Sequence, residues 1–254
     1  MVWFKDWRRR RRLVRAQLPE DRWRAVVAAL PLLRGLTGAE LSRLRDLSVL
    51  FLYEKHPVAA GELELDDGMR LYIAAQACLP ILKLGLDYYS GWASVIVYPE
   101  GFWSPHRSLD TAGVLHSGYQ ARVGEAWDRG PIVLSWADVQ QASYGEGFNV
   151  VIHECAHKLD LLNGVANGMP PLHGGMSLPA WTQAFTAAYD ALCQCLDRGA
   201  EPPIHPYAAE SPGEFFAVVS EAFFEIPAVL QAAYPAVYAQ LRAFYRQDPL
   251  LRLG

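Results

Sequence analysis

The sequence has few cysteines, modest charge and no long apolar run, and each shortage excludes a class of protein. Four cysteines among 254 residues, with no Cys-x-x-Cys pair, do not make the framework of a small disulfide-rich secreted domain. A formal net charge of −4 gives no overall attraction to nucleic acid or to anionic membranes. The apolar share of 52%, with 20% charged residues, indicates an ordered globular chain.

The N-terminus lacks the pattern of an exported protein. The basic run Arg8–Arg12 is followed by Leu13 and Val14, but Arg15 then interrupts the apolar stretch that a secretory signal requires. No other window has the length and purity of a membrane span. The spacing of the cysteines also indicates free thiols, which are typical of a reducing compartment. We therefore predict a cytoplasmic protein. The arginine run is typical of a solvated tail, and contact with phosphate or anionic lipid is the open alternative.

The order of helix and strand signals predicts an α+β protein, mainly helical with a small mixed β-sheet. We expect a basic arm over 1–19 and a single domain over 20–254, with a helical part (20–90) before the part that carries the chemistry (91–254). Periodicity and capping signals predict helices over 21–36 with a break at Pro31, and over 37–53, 67–84, 149–162, 179–196, 211–224 and 227–246. Runs rich in β-branched residues predict strands over 93–98, 114–122 and 131–136.

The segment His153-Glu154-Cys155-Ala156-His157 carries the predicted chemistry. Its histidines are four residues apart, so a helix places both imidazoles on one face, where they can bind one ion. We expect one zinc ion per chain, because zinc polarises a carbonyl and acidifies water near neutral pH. Glu154 projects beside the ion and is predicted to be the general base. The alternative is two helix histidines that make ordinary hydrogen bonds.

A catalytic zinc needs a third protein ligand, and the residues after this motif do not match the His-x-x-Gly-x-x-His continuation of metzincins. Glu214 and Glu221, both on a later predicted helix, are the candidates. Seven residues apart, they lie two turns from each other, and spacing alone ranks them equally. Each also has a structural interpretation, since Ser211 and Glu214 fit a capping box and Glu221 fits an ordinary helix carboxylate.

Several residues have open supporting roles. Asp160 or Glu221 could accept the distal N–H of a ligand histidine, although Asp160 equally fits a polar residue at the end of a helix. Cys155 lies on the helix side away from the two histidines and is not expected to bind the metal. The strand over 131–136 could pair with an extended peptide if it lies at a sheet edge. Surface or structural roles are expected for the other histidines, His106, His116, His173 and His205.

The motifs in combination resemble a known family of zinc peptidases, that of Mlc titration factor A (MtfA). Its members are cytosolic bacterial gluzincins, similar to the catalytic domain of anthrax lethal factor. The resemblance covers most of the chain and is carried by His153-Glu-Cys-Ala-His-Lys-Leu-Asp160, Asn163-Gly164, Tyr207-x6-Glu214-Phe-Phe-Ala and Ser220-Glu221.

This resemblance implies a zincin-like fold with His153, His157 and Glu214 as metal ligands, Glu154 as general base, and Tyr207 as stabiliser of the oxyanion. It also implies aminopeptidase-like cleavage of small peptides and binding to a glucose-responsive transcriptional repressor. From the net charge and the lack of a membrane span we expect no membrane partner and no direct nucleic-acid partner. Two other hypotheses stay open, a regulatory protein-binding module whose zinc is mainly structural and a nucleic-acid binder acting through the arginine run. An intact Glu154 favours the enzyme.

Overall fold

A computed structural model of the chain describes residues 2–16, 18–100, 105–109, 115–119, 130–142 and 144–253. Its helices are α1 (Val2–Arg15), α2 (Glu20–Ala29), α3 (Gly38–Lys55), α4 (Asp67–Cys78), α5 (Trp136–Gln141), α6 (Val150–Asp160), α7 (Leu178–Asp197), α8 (Pro212–Glu225), α9 (Pro227–Ala233), α10 (Pro235–Tyr245) and α11 (Leu250–Leu253). Its strands are β1 (Pro57–Ala59), β2 (Val95–Tyr98), β3 (Pro105–Leu109), β4 (Leu115–Tyr119) and β5 (Ile132–Ser135). The protein is therefore mainly helical with little sheet, which confirms the predicted α+β class.

Caps and prolines set most of the helix ends. Thr37 accepts a hydrogen bond from the Glu40 N–H, and the Glu40 carboxylate accepts one from the Thr37 N–H, which confirms the predicted capping box. The helix predicted over 67–84 ends already at Cys78, because Pro80 has no N–H to continue it. The helix predicted over 227–246 is two helices, α9 and α10, with Pro235 opening the second.

The described strands form two separate units rather than one mixed sheet. Strands β1, β2 and β5 make a parallel sheet in that order, and Ile96 of β2 pairs with Val58 on one side and Val133 on the other. Strands β3 and β4 form an antiparallel pair of their own. The strand predicted over 114–122 corresponds to β4, with its two ends outside the described residues. Strand β5 has one neighbour among the described strands, so it lies at an edge of the parallel sheet that these strands form.

The basic N-terminal segment is a helix that packs on the body of the protein. Helix α1 lies against α3, where Arg9 forms an ion pair with Glu54 at 2.8 Å and Lys5 forms one with Asp87. Leu13 packs against the hydrophobic core. The inward side of this segment is thus not a solvated tail, because its cations meet acidic partners on α3 and on the turn at Leu86–Tyr89. The domain boundaries at residues 19 and 90 stay predictions.

Helix α8 runs through the core, which explains how it can hold a site. Nearly all of its residues are buried, including two pairs of adjacent phenylalanines, and it packs along α6. Helices α7 and α10 cover its other sides with aromatic rings such as Trp181 and Phe244. Burying this much aromatic surface fixes the position of α8 strongly. In the part of the chain that the structure describes, no helix combines the length and apolar character needed to cross a membrane.

Candidate active site

Three predicted ligands converge where α6 and α8 meet. The Nε2 atoms of His153 and His157 are 3.2 Å apart, and Glu214 Oε2 lies 3.0 Å from the first and 3.3 Å from the second. Asn149 starts α6 by accepting the Ile152 N–H, which sets the helix that carries both histidines. Together the three side chains form a cluster that could hold a metal ion. Spacing had left Glu214 and Glu221 equal, and the structure brings Glu214 to the imidazoles.

The separations and the hydrogen bonding of this cluster fit a metal better than a closed polar network. Glu214 Oε2 is buried, and no hydrogen bond of acceptable geometry reaches it, although two imidazole nitrogens are close. Tetrahedral coordination with bonds of about 2.0–2.1 Å spaces ligand atoms roughly 3.3 Å apart. The observed distances of 3.0–3.3 Å match that spacing. Two imidazole nitrogens and one carboxylate oxygen are also a donor set that suits zinc.

His153 is oriented by a second carboxylate on α8. Its Nδ1 atom donates to Glu221 Oε1 at 2.7 Å, which leaves the Nε2 lone pair directed at the cluster. Burial lowers the pKa of His153, but the charge of Glu221 and the contact with Glu214 outweigh it, so the pKa lies well above its ordinary value. The hypothesis that Glu221 accepts the distal N–H of His153 is thereby confirmed.

Asn149 links the start of α6 to two other helices, a role that the sequence reasoning missed. Its backbone N–H donates to Glu221, and its side-chain amide donates to Gln76 on α4 and to Glu225 on α8, both at 2.9 Å. All these side chains are buried, so each bond holds one helix relative to another. The available signal was an asparagine one residue before the apolar run that opens the helix.

Of the two roles left open for Asp160, the structure supports that of a polar residue at the end of a helix. Its oxygens accept the backbone N–H groups of Gly168 and Met169, at 2.7 and 2.8 Å, rather than a histidine N–H. Burial raises the pKa of Asp160 to about 6, against the opposing effect of those two bonds. The bonds draw the loop after α6 against the first residue of α8, since a Cβ on Gly168 would lie 2.4 Å from the Pro212 carbonyl oxygen. The loop therefore connects the ends of the two helices that carry the predicted ligands.

Tyr207 lies beside the cluster on a 3₁₀ turn (Pro206–Ala209) that packs against α8. Its ring centroid is 6.1 Å from that of His153. Burial, together with the negative charges of Glu214 and Glu154, raises the pKa of Tyr207 well above its usual value, so the phenol keeps its proton. His205 caps the turn by accepting the Tyr207 N–H at 3.3 Å, which gives this histidine a structural contact.

Glu154 is half-buried and makes no hydrogen bond or ion pair with the described residues. The neighbouring side chains are between 14% and 21% exposed, so a peptide can approach them. Cys155 is buried, and burial raises its pKa to about 12, which keeps the thiol protonated. His173 bonds Tyr88 and the Phe244 carbonyl, as a structural histidine does. The side chains of His106 and His116 lie outside the described part of the structure.

Comparison with known proteins finds one family and relatives that share one name. The glucose-regulated metallo-peptidase M90 family matches residues 4–246. The Mlc titration factor A of Pectobacterium atrosepticum is 40% identical over 238 residues, which cover 92% of this chain and 88% of that protein. The protein of the same name from Cronobacter sakazakii is 37% identical over 249 residues, covering 97% and 92%. The one from Salmonella arizonae is 40% identical over 230 residues, covering 89% and 90%.

These matches span both the helical part of the chain and the site between α6 and α8. They agree with the resemblance drawn from the motif residues and with a partly buried His-His-Glu cluster that suits a metal. The chain belongs to the glucose-regulated metallo-peptidase M90 family, the family of Mlc titration factor A.

Proposed function

We propose that the protein is a zinc-dependent peptidase whose single zinc ion is held by His153, His157 and Glu214. The observation that carries the proposal is the convergence of three ligand atoms at 3.0–3.3 Å, one of them a buried carboxylate oxygen with no aligned hydrogen bond. When bound, zinc supplies Lewis-acid polarisation of the scissile carbonyl and makes water easier to deprotonate. Two histidines and a glutamate leave the open coordination position that such chemistry needs.

Glu154 acts as the general base of the reaction. It follows His153 on α6, and it has no described partner that would hold its carboxylate away from substrate. The carboxylate accepts a proton from the attacking water and transfers it to the leaving amine as the peptide bond breaks. General acid–base catalysis of this kind typically contributes roughly 10²–10⁴ in rate.

Tyr207 donates a hydrogen bond to the negative charge that develops on the carbonyl oxygen. Its raised pKa supports this role, because the phenol stays protonated at the pH where Glu154 must be ionised to accept a proton. Glu221 acts through His153, whose ring it holds with Nε2 directed at the metal position.

Strand β5 is the element that we propose to align the substrate. It packs against α6 and lies at an edge of the described parallel sheet, so an extended peptide can pair with its main chain. We further propose aminopeptidase-like cleavage, in the cytoplasm, as the resemblance to the family implies. The name of the relatives also supports a regulatory interaction with an Mlc-like transcriptional repressor.

The test joins metal analysis to a panel of peptide substrates for wild type, Glu154→Gln and the matched control Glu62→Gln. Glu62 is an exposed glutamate outside the site. We expect about one zinc per chain in all three proteins, and a loss of roughly 10²–10⁴ in kcat for Glu154→Gln alone. Equal cleavage by Glu154→Gln and wild type would contradict the mechanism. A wild type that holds zinc and cleaves no peptide would instead favour the regulatory module with structural zinc.

A further inference from the structure

Helix α1 has two sides with different surroundings. The inward side carries Lys5 and Arg9, which form ion pairs with Asp87 and Glu54, and Arg12, which lies over the ring of Tyr53. These contacts, with Leu13 packed against the core, orient the helix on the protein. The opposite side is consequently presented to solvent in a defined orientation.

That opposite side, called here the α1 outer face, consists of three apolar residues and four arginines. Phe4, Trp7 and Val14 are 58%, 45% and 88% exposed. At 100° per residue they form one stripe along the helix. A fourth exposed side chain on this stripe is that of Arg11, which lies over the ring of Trp7. The other exposed arginines, Arg8, Arg10 and Arg15, lie on the two flanks of the stripe and have no acidic partner among the described residues.

An exposed tryptophan and phenylalanine on one stripe leave a large apolar area in water. Unpaired guanidinium groups beside that stripe add positive charge within the screening distance of about 10 Å. Helices that lie on membranes combine these two features, with aromatic residues entering the headgroup region and cations meeting lipid phosphates. We propose that the α1 outer face docks on the surface of an anionic phospholipid bilayer.

Nucleic acid would also attract the arginines, but it fits the aromatic residues less well. Binding of single strands relies on bases stacking on open aromatic faces. Trp7 is already stacked with Phe4 from the preceding turn, at 5.9 Å between ring centroids, and Arg11 lies 5.3 Å over it from the following turn. A bilayer requires only apolar volume at the interface and phosphate near the cations, and both are available here.

The overall charge of −4 does not oppose this docking, because attraction to a membrane depends on the charges near its surface. The inward cations Lys5 and Arg9 are already neutralised by their partners, so the charge available to lipid is that of the α1 outer face. The proposal is independent of the metal centre, since none of these residues belongs to it.

Sedimentation with vesicles tests the proposal on the full chain. We expect binding to phosphatidylcholine vesicles that contain phosphatidylglycerol, none to pure phosphatidylcholine, and weakening as salt is added. The triple variant R8Q/R10Q/R15Q should lower the partition coefficient onto vesicles roughly 100-fold at low ionic strength, because each arginine contributes a factor of about five. The control R34Q/R198Q/R246Q changes the net charge equally at exposed arginines elsewhere and should leave binding within about twofold of wild type.

The apolar part is tested by the double variant F4S/W7S, which keeps every cation. We expect it to lose vesicle binding at moderate salt, whereas Trp7→Phe should retain binding and reduce the quenching of tryptophan emission by brominated anionic lipid. Circular dichroism of each variant checks that α1 and the rest of the fold persist. Wild type that does not bind the anionic vesicles, or a control triple variant as weak as R8Q/R10Q/R15Q, would overturn the proposal. Binding of a single-stranded oligonucleotide but not of vesicles would identify nucleic acid as the partner instead.

Discussion

Helices α6 and α8 form the two walls of the candidate active site, and they hold their site residues by different means. On α6 the two histidines are one turn apart in one helix, so their separation follows from local backbone geometry. On α8 the two glutamates reach the histidines only because the helix is packed beside α6. The positions of the two histidines are thus set by local helix geometry, whereas those of the two glutamates depend on tertiary packing.

The packing of α8 beside α6 is fixed by contacts at both ends of α6. Asn149 at the start of α6 bonds Glu221 and Glu225, whereas Asp160 at the end of α6 holds the loop that meets Pro212 at the start of α8. Loss of either contact would move the glutamates without changing the spacing of the two histidines.

Replacing Glu214 by alanine removes the metal ligand that we propose α8 contributes. We expect zinc affinity to fall by more than the roughly 10–100-fold that loss of an outer-shell partner costs, and peptidase activity to fall with it. Competition with a chelator of known affinity measures the change. Glu210→Ala is the control, because that glutamate is exposed and outside the cluster. Equal zinc affinity in the two variants would show that α8 does not supply a ligand.

Replacing Tyr207 by phenylalanine removes a hydrogen-bond donor while keeping the ring that lies beside His153. We expect kcat to fall roughly 10²–10³-fold with zinc content unchanged, since the loss is felt in the transition state. Steady-state kinetics together with metal analysis measures both. A variant with normal kcat would mean that the Tyr207 hydroxyl takes no part in catalysis and that the residue has a structural role.

Replacing Glu221 by alanine should weaken zinc binding by about 10–100-fold, because His153 loses the acceptor that orients it. Glu225→Ala is a matched control one helical turn further on α8. Glu225 is also buried and also bonds Asn149, but the hydrogen bond to the histidine is made by Glu221. Both variants should be less stable to urea, and only the first should lose affinity. A similar loss of affinity in both would assign the effect to helix packing.

Replacing Gly168 by alanine should disturb α8 through the loop. Gly168 has φ +77° and its Cβ would meet the Pro212 carbonyl, whereas Gly175, with φ +96°, has open space around it. Gly175→Ala therefore measures the cost of the left-handed backbone alone, on the order of 1 kcal/mol in the free energy of unfolding. We expect Gly168→Ala to cost about 1–3 kcal/mol more, with a small loss of zinc affinity. Urea unfolding of both variants provides the comparison.

The same division explains what the sequence could predict. The histidine spacing, the capping box at Thr37 and the break at Pro31 are local features, and the structure has each of them. The choice between Glu214 and Glu221 depended on how α8 lies against α6, which spacing cannot give. Spacing could not separate the two roles left open for Asp160 for the same reason, because its partners Gly168 and Met169 belong to a loop with no periodic pattern.

Helix α1 was missed for a related reason. Its arginine run has no apolar periodicity, and the inward cations are stabilised by Glu54 and Asp87, which lie far along the chain. A charge run that looks solvated in sequence can therefore be half paired in the fold. The short strand β1 was missed as well, because three residues are too few for a strand pattern to emerge.

The contact between Gly168 and Pro212 also bears on the biosynthesis of the protein. As the ribosome releases the chain, α6 emerges with both histidines long before the segment that carries Glu214. Of the three proposed ligands, a nascent chain therefore presents only the two histidines at first, and a complete metal site requires the folded chain. With this ligand set, firm metal binding follows only when the loop has closed on the start of α8. Metal loading would then report the completion of folding, so that an unfinished chain holds no competent peptidase.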